Sequence, residues 1–391
     1  MRRKKTSSSL ILIPVMLSFF VMGFVDLVGV AANHMQADFA LSDTMANLCP
    51  AMVFLWFLLF SIPAGILMNY IGRRKTVLLS LFITTVSLLI PLLCYEFVMM
   101  LISFSLLGIG NVLLQVSLNP LVSNVVSERH LASSLSFGQF IKGIASFLAP
   151  FIASWAALTM DEWRELYPIF LLITLVSIIG LGFTSIEELD DYSESDSLKS
   201  YGRLLGNPLI RLIWIGIICH VGIDVGINLT APKIFVERLG FSVADASMAG
   251  SVYFLSRTIG CLIGAVVLQY IASERFFRWS VFGLLLALIG LSFASTLEQL
   301  YAVLLILGIG NANIFSILIS KALNTFPDNK NEVSGLMITG LCGGALFVVP
   351  MGIVSDWIES QAGALIILGL GAVYLTYLSA YFRKHPHSLD D

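Results

Sequence analysis

The chain has 391 residues, 57% of them hydrophobic and 12% charged, with a mean hydropathy of +0.90; a soluble domain carries roughly 25% charged residues. That composition excludes a soluble globular protein. The 25 acidic residues nearly balance the 22 Lys and Arg, leaving a formal charge of -3, so no basic surface exists for DNA or RNA to find.

A bilayer crossing takes about 20 apolar residues. In chain order the apolar runs predict spans at 9–33, 47–70, 76–95, 97–126, 131–157 and 166–185. After a polar break they resume at 209–232, 246–271, 277–295, 298–322, 333–356 and 362–382. The break, residues 186–208, is the longest in the chain and holds six acids between Glu187 and Asp196. The expected fold is an all-α integral membrane protein with twelve transmembrane helices in two pseudo-symmetric six-helix bundles, residues 1–187 and 209–391, joined by a linker at 188–208. Cys49, Cys94, Cys219, Cys261 and Cys342 lie in or beside apolar stretches without metal-ligand spacing, so they read as packing residues. No metal and no cofactor is expected.

Cytoplasmic loops of membrane proteins hold the excess of Lys and Arg. With the first span starting inside, seventeen of the 22 fall on the cytoplasmic side, while only Arg164, Lys233 and Arg238 fall outside. This asymmetry predicts a multi-pass protein of a cytoplasmic (inner) membrane with both termini and the linker in the cytoplasm. The basic start at Arg2, Arg3, Lys4 and Lys5 precedes an apolar run too long for a signal peptide's core, so the run reads as a retained first helix.

One offset recurs along the sequence. Leu107-Gly-Ile-Gly-Asn111 returns as Leu307-Gly-Ile-Gly-Asn311, Tyr70-Ile71 as Tyr270-Ile271, and Ser134, Gly143, Ala145, Phe147 and Pro150 as Ser334, Gly343, Ala345, Phe347 and Pro350. Matches in three helix pairs at 200 residues indicate a duplicated six-helix unit. Six plus six helices around a polar cytoplasmic loop is the parallel-repeat plan of transporters that rock two halves about a midplane site.

Four residues carry charge inside predicted spans: Asp26, Lys142, Asp224 and Arg257. At about 2.5–3.5 kcal/mol each near a bilayer centre, they would cost on the order of 10 kcal/mol unpaired. Two acids and two bases cancel formally, which favours pairing or a polar cavity. One reading makes them permanent ion pairs; the other gives Asp26 or Asp224 the coupling proton, because a carboxylate whose cation contact alternates changes its proton affinity with conformation. Polar rows accompany them at helical spacing: His220, Asp224 and Asn228 in the seventh span, and Asn111, Gln115 and Asn119 in the fourth. Amide side chains both donate and accept, which suits sugar hydroxyls; the alternative is interhelical bonding, at roughly 0.6 kcal/mol per bond. Asn111, repeated as Asn311, reads as such a tie, and Gln115 and Asn119 as site residues. Trp56 and Tyr253 lie at a depth where a ring could pack on a sugar face.

Three stretches resemble the fucose permease type of sugar:proton symporter in the major facilitator superfamily, and within it the glucose/galactose transporter branch. They are Pro63-Ala-Gly-Ile-Leu-Met68 overlapping Gly65-x3-Asn69-Tyr70-x-Gly72-Arg73-Arg74-Lys75, then Leu114 to Val122, and Gln139 to Pro150. The resemblance implies the major facilitator fold, sugar transport coupled to protons, and a gating loop carried by Gly65, Asn69, Gly72, Arg73 and Arg74. It also adds Gln139 to a substrate site of Gln115, Asn119, Lys142, His220, Asn228 and Arg257. Five positions depart from the family pattern: Asn69 and Tyr70 stand where the loop usually has Asp and Arg, Asp26 lies up to one turn before the family's helix 1 acid near Gly29 or Val30, Gln115 stands where the fucose branch has Glu, and Lys142 where Asn is usual.

The resulting expectation is a secondary active transporter, not an enzyme, that imports a sugar or sugar derivative by proton symport with alternating access. An acidic sugar, a sialic acid or a hexuronate bound through Lys142, is the alternative substrate; a drug or solute exporter and a non-transporting membrane sensor are the alternative roles. The expected partners are a small-molecule sugar and membrane lipids, with the chain acting as a monomer and binding no nucleic acid.

Overall fold

The computed structural model describes residues 8–384 apart from 27, 29–30, 32–33, 36–37, 42–44, 46–47, 161–162, 185, 187–196, 242–245 and 247. Within its helices, the side chains of 8–11, 49–51, 54, 150–151, 154, 157–158 and 197–198 are also outside the described set. The six linker acids, the Cys49 side chain and both termini therefore lie outside the described residues.

In lipid every backbone polar group must bond within the chain, which leaves helices as the outcome for these apolar runs. The first half forms α1 (Ser8–Met22), α2 (Leu48–Ile71), α3 (Arg73–Leu93), α4 (Phe97–Val125), α5 (Glu128–Met160) and α6 (Leu166–Phe183). Part of the expected linker is a short helix, α7 (Ser197–Gly206). The second half forms α8 (Pro208–Leu239), α9 (Met248–Val267), α10 (Ser273–Phe293), α11 (Leu297–Asn311), α12 (Ile314–Thr325), α13 (Lys330–Thr339), α14 (Gly343–Ile358) and α15 (Ala362–Lys384). With α11–α12 and α13–α14 each counted as one span, the described residues hold a helix in each of the twelve predicted spans, the first running only to Met22 and a 3-10 turn to Asp26, and no strand occurs among the described residues. Nine helical segments among those residues are long and apolar enough to cross a membrane on those two criteria alone.

Local chemistry sets several boundaries. Asn207 caps α8, its side-chain oxygen accepting from the Leu209 amide at 2.9 Å, with Pro208 opening the helix and Gly240 (φ 67°) closing it. Thr296 and Gln299 form a reciprocal capping box at the start of α11. Gly72, at φ 88°, turns the chain from α2 into α3.

Two spans differ from the continuous helices expected at 298–322 and 333–356. The first breaks at Ala312–Asn313, where the Asn313 amide donates to the Gly260 carbonyl at 2.8 Å. The second tightens into a 3-10 turn at Gly340–Cys342. There the backbone of α8 comes so close that a methyl on Gly343 would collide with the Ile218 carbonyl. Tertiary contacts rather than hydropathy set both interruptions.

The helices form two compact units: Met1–Ser127, Ile141–Tyr201 and Phe326–Thr339 in one, Glu128–Phe140, Gly202–Thr325 and Gly340–Asp391 in the other. In the first, α4 packs on α1, α2 and α3, and α13 lies against α2 and α4. In the second, α11 packs on α9 and α10, while α8 contacts α9, α12, α14 and α15.

The duplication is visible in the packing inside each unit. A Cβ at Gly108 would lie 2.8 Å from the Val53 carbonyl oxygen, and one at Gly308 would lie 2.8 Å from that of Tyr253. At Gly110 and Gly310 the corresponding distances to the Ser80 and Ser280 carbonyls are both 3.1 Å. All four partner positions repeat at the same offset of 200 as the glycines. These small residues let neighbouring helix backbones touch.

Candidate functional site

The second unit concentrates its polar chemistry around one carboxylate. Asp224 of α8 faces Tyr253 and Arg257, one turn apart on α9, and Asn311 at the end of α11. Its Oδ1 accepts from the Tyr253 hydroxyl at 2.7 Å and from Asn311 Nδ2 at 3.2 Å, and lies 3.1 Å from Arg257 Nε. The two charged side chains retain 16% and 24% exposure. Asn311 Nδ2 also reaches the Tyr253 hydroxyl at 3.0 Å, while its Oδ1 lies 2.9 Å from His220 Nδ1. His220 and Asn311 are buried. Three contacts from donor groups on a single acceptor oxygen hold a negative charge without committing it to a metal, and no cluster of metal-ligating side chains occurs among the described residues.

The first unit carries two polar groups. Along α4, Gln115 Nε2 donates to Asn111 Oδ1 at 2.8 Å, Asn119 Nδ2 donates to the Gln115 carbonyl at 2.8 Å, and Asn111 Nδ2 donates to the Met22 carbonyl of α1 at 2.8 Å. All three are buried. Asp26, in the 3-10 turn that follows α1, accepts from Ser146 of α5. Ser146 is one helical turn beyond Lys142 and also bonds its carbonyl at 3.0 Å. Lys142 is half-buried, as is Gln139, which belongs to the other unit.

The residues expected to form a gating loop join a network within the first unit. Asn69 donates through Nδ2 to Glu332 Oε1 at 2.6 Å and accepts through Oδ1 from Asn331 Nδ2 at 2.7 Å. Arg73 donates through Nε to Asn331 Oδ1 at 2.7 Å and through a terminal nitrogen to Asn124 Oδ1 at 2.6 Å. Arg74 donates to the Leu181 and Gly182 carbonyls at the end of α6. Gly65 lets α2 approach α13: a methyl there would strike the Tyr201 hydroxyl and lie 3.0 Å from the Asn331 carbonyl. Burial, and after it the Glu332 carboxylate, push the Tyr201 phenol above its ordinary range.

The family model described as Major Facilitator Superfamily matches residues 15–348. The chain belongs to the major facilitator superfamily. A glucose/galactose transporter of Brucella abortus is 23% identical over 356 residues, covering 87% of this chain and 86% of that protein. Among solved structures, the E. coli fucose:proton symporter FucP aligns with a TM-score of 0.84 at 16% identity, over 96% of this chain and 99% of that one. The proton:xylose symporter XylE, bound to 6-bromo-6-deoxy-D-glucose, aligns with a TM-score of 0.78 at 15% identity, over 98% and 96%. These relatives are membrane transporters rather than enzymes, and the resemblance carried by the three sequence stretches leads to the same family.

Within this superfamily member, the structure brings His220, Asp224 and Arg257 into one cluster, and Gln115 and Asn119 into one row. Asn228 stands one turn beyond Asp224, half-buried, close to Gly250 of α9. Sequence reasoning missed the hydroxyl role of Tyr253, the bridging role of Asn311, the Ser146 contact to Asp26, and the Asn331–Glu332 side of the loop network. The spacing of Tyr253 and Arg257, four apart on a helix, was a usable signal for the first. No local pattern announces the others.

Proposed function

We propose that this protein imports a sugar by proton symport, with Asp224 as the proton carrier and Gln115, Asn119, Gln139 and Asn228 among the groups that bind the sugar by its hydroxyls. The observation that carries the reading is the Asp224 cluster. A carboxylate in a membrane helix, held by a guanidinium, a phenol and an amide, can lose its charge to a proton at low cost once those donors move away. In contact with these donors the carboxylate is held in its charged form, so that it takes up a proton only as they withdraw. The named sugar substrates of the glucose/galactose, fucose and xylose transporters support the substrate class. Asp26, exposed and bonded to Ser146, is the second acid to test.

A second reading concerns substrate charge. Lys142 lies on α5 one turn before the serine that holds Asp26, so an ammonium stands near the same level and would favour an acidic sugar. The deciding experiment is uptake into proteoliposomes under an imposed inward proton gradient, comparing glucose, galactose, fucose, N-acetylglucosamine, glucuronate and N-acetylneuraminate. Gradient-driven accumulation of a neutral sugar supports the main reading, and accumulation confined to the acids supports the second. Failure of the gradient to drive any of them refutes proton-coupled sugar import.

A further inference from the structure

His220 is 1% exposed, and its Nδ1 is occupied by Asn311 Oδ1 at 2.9 Å. The direction of the hydrogen bonds around it follows from what each atom can do. An ionised Asp224 only accepts, so the Tyr253 hydroxyl donates to it and the amide nitrogen of Asn311 faces it. The Tyr253 oxygen is then left to accept from the same Asn311 nitrogen. The amide oxygen of Asn311 must therefore point away from the carboxylate, and the group it meets is His220, which carries its proton on Nδ1. The chain of donation runs from imidazole to amide to phenol and carboxylate, one step removed from the charge.

We propose that His220 is a positioning residue for the coupling proton: through Asn311 it keeps an N–H directed at Asp224, and so sets the pH range over which uptake is driven. This rests on the reading of Asp224 as proton carrier. The groups that face His220 are Asp224 from its own helix, Tyr253 and Arg257 from α9, Asn311 from α11 and the Phe315 ring of α12, at 6.4 Å between centroids. Tyr374 of α15 bonds the Leu212 carbonyl, two turns away along α8. Without the imidazole the Asn311 amide is free to rotate and present its oxygen to the carboxylate. The charged state then loses a donor, and the proton is held at lower proton concentration.

The test is the pH profile of gradient-driven uptake in proteoliposomes for the unaltered protein, His220→Leu and His220→Asn. The same three samples are followed by the infrared carboxylic-acid band that Asp224→Asn removes. Leucine ends the donation; asparagine offers an N–H near the position of Nδ1. The expected result is that His220→Leu moves the high-pH limb of uptake, and the infrared titration with it, about one unit upward, equivalent to a tenfold change in proton affinity, and that His220→Asn restores both. A profile unmoved in His220→Leu, with only the KM for sugar raised, would overturn the proposal and make His220 a sugar contact. Should His220→Leu neither transport nor bind, the infrared titration of His220→Asn decides: a displacement of about one unit from the unaltered protein overturns the proposal too. Uptake by the unaltered protein that ignores the proton gradient is a distinct result, which removes the carrier reading itself.

Discussion

Asn69 and Glu332, 263 residues apart in sequence, meet at 2.6 Å, with Asn69 donating to the carboxylate. The family pattern has an acid where Asn69 stands; here the acid of this contact stands on α13 instead. Asn69→Asp would set two carboxylates face to face within the first unit, where like charges repel. Transport is expected to fall at least tenfold in Asn69→Asp and to recover most of the loss in Asn69→Asp combined with Glu332→Gln. A double-mutant cycle on initial uptake rates checks it; additive losses would show that the contact has no energetic weight.

The ion pair between Arg257 and Asp224 carries a sharper prediction. Removing one partner of this part-buried pair strands the other, at a cost below the about 3–5 kcal/mol of a fully buried pair. Arg257→Gln should therefore lower thermal stability in detergent markedly, whereas Arg257→Gln with Asp224→Asn should regain much of it. In transport, Asp224→Asn alone is expected to abolish accumulation against a sugar gradient while sugar exchange at equal concentrations continues. Retained uphill accumulation in Asp224→Asn, and its loss in Asp26→Asn, would move the carrier role to Asp26.

Hydropathy made all twelve spans legible, because lipid imposes one requirement on every residue of a span. The breaks at Ala312–Asn313 and Gly340–Cys342 were not legible in the same way, since they depend on Gly260 and Ile218 of other helices. The same distinction runs through the site. Asp224 and Arg257 announced themselves as charges in apolar sequence, their pairing with each other was one of the two readings, and the structure forms it between α8 and α9. Tyr253 read as a ring for a sugar face, yet its hydroxyl is engaged on Asp224. Asn311 read as a packing tie beside its glycines, and its amide is the hub of the cluster.

Lys142 gives a prediction about selectivity. If its ammonium meets a substrate carboxylate, Lys142→Gln should raise the KM for glucuronate or N-acetylneuraminate at least tenfold and leave that for a neutral hexose within about twofold. Competition assays with unlabelled sugars measure both. Equal effects on the two classes would assign Lys142 to holding α5 in place.

The approach of α2 to α13 predicts a stability effect away from the charges. At Gly335 a methyl would come 2.7 Å from the Tyr201 hydroxyl and 3.0 Å from the Ser61 carbonyl oxygen. Gly335→Ala is therefore expected to destabilise by about 1–3 kcal/mol through overpacking. Gly335→Ala combined with Tyr201→Phe, which removes the nearer oxygen, should recover part of it. Thermal unfolding followed by tryptophan fluorescence in detergent reads both, and no recovery would place the strain at Ser61.

The glycines at 108, 110, 308 and 310 separate two kinds of inheritance in the duplicated chain. Where the glycines meet a neighbouring helix's carbonyls, the two copies keep the same distances, 2.8 Å at the first glycine and 3.1 Å at the second. One residue further along, the copies have diverged in trade: Asn111 ties α4 to a backbone carbonyl of α1, while Asn311 serves a carboxylate and an imidazole. A scaffold held by small residues leaves the adjoining polar position free to change employment without moving a helix. One copy can thus specialise in handling charge and the other in displaying amides, which is how a symmetric architecture comes to perform an asymmetric task.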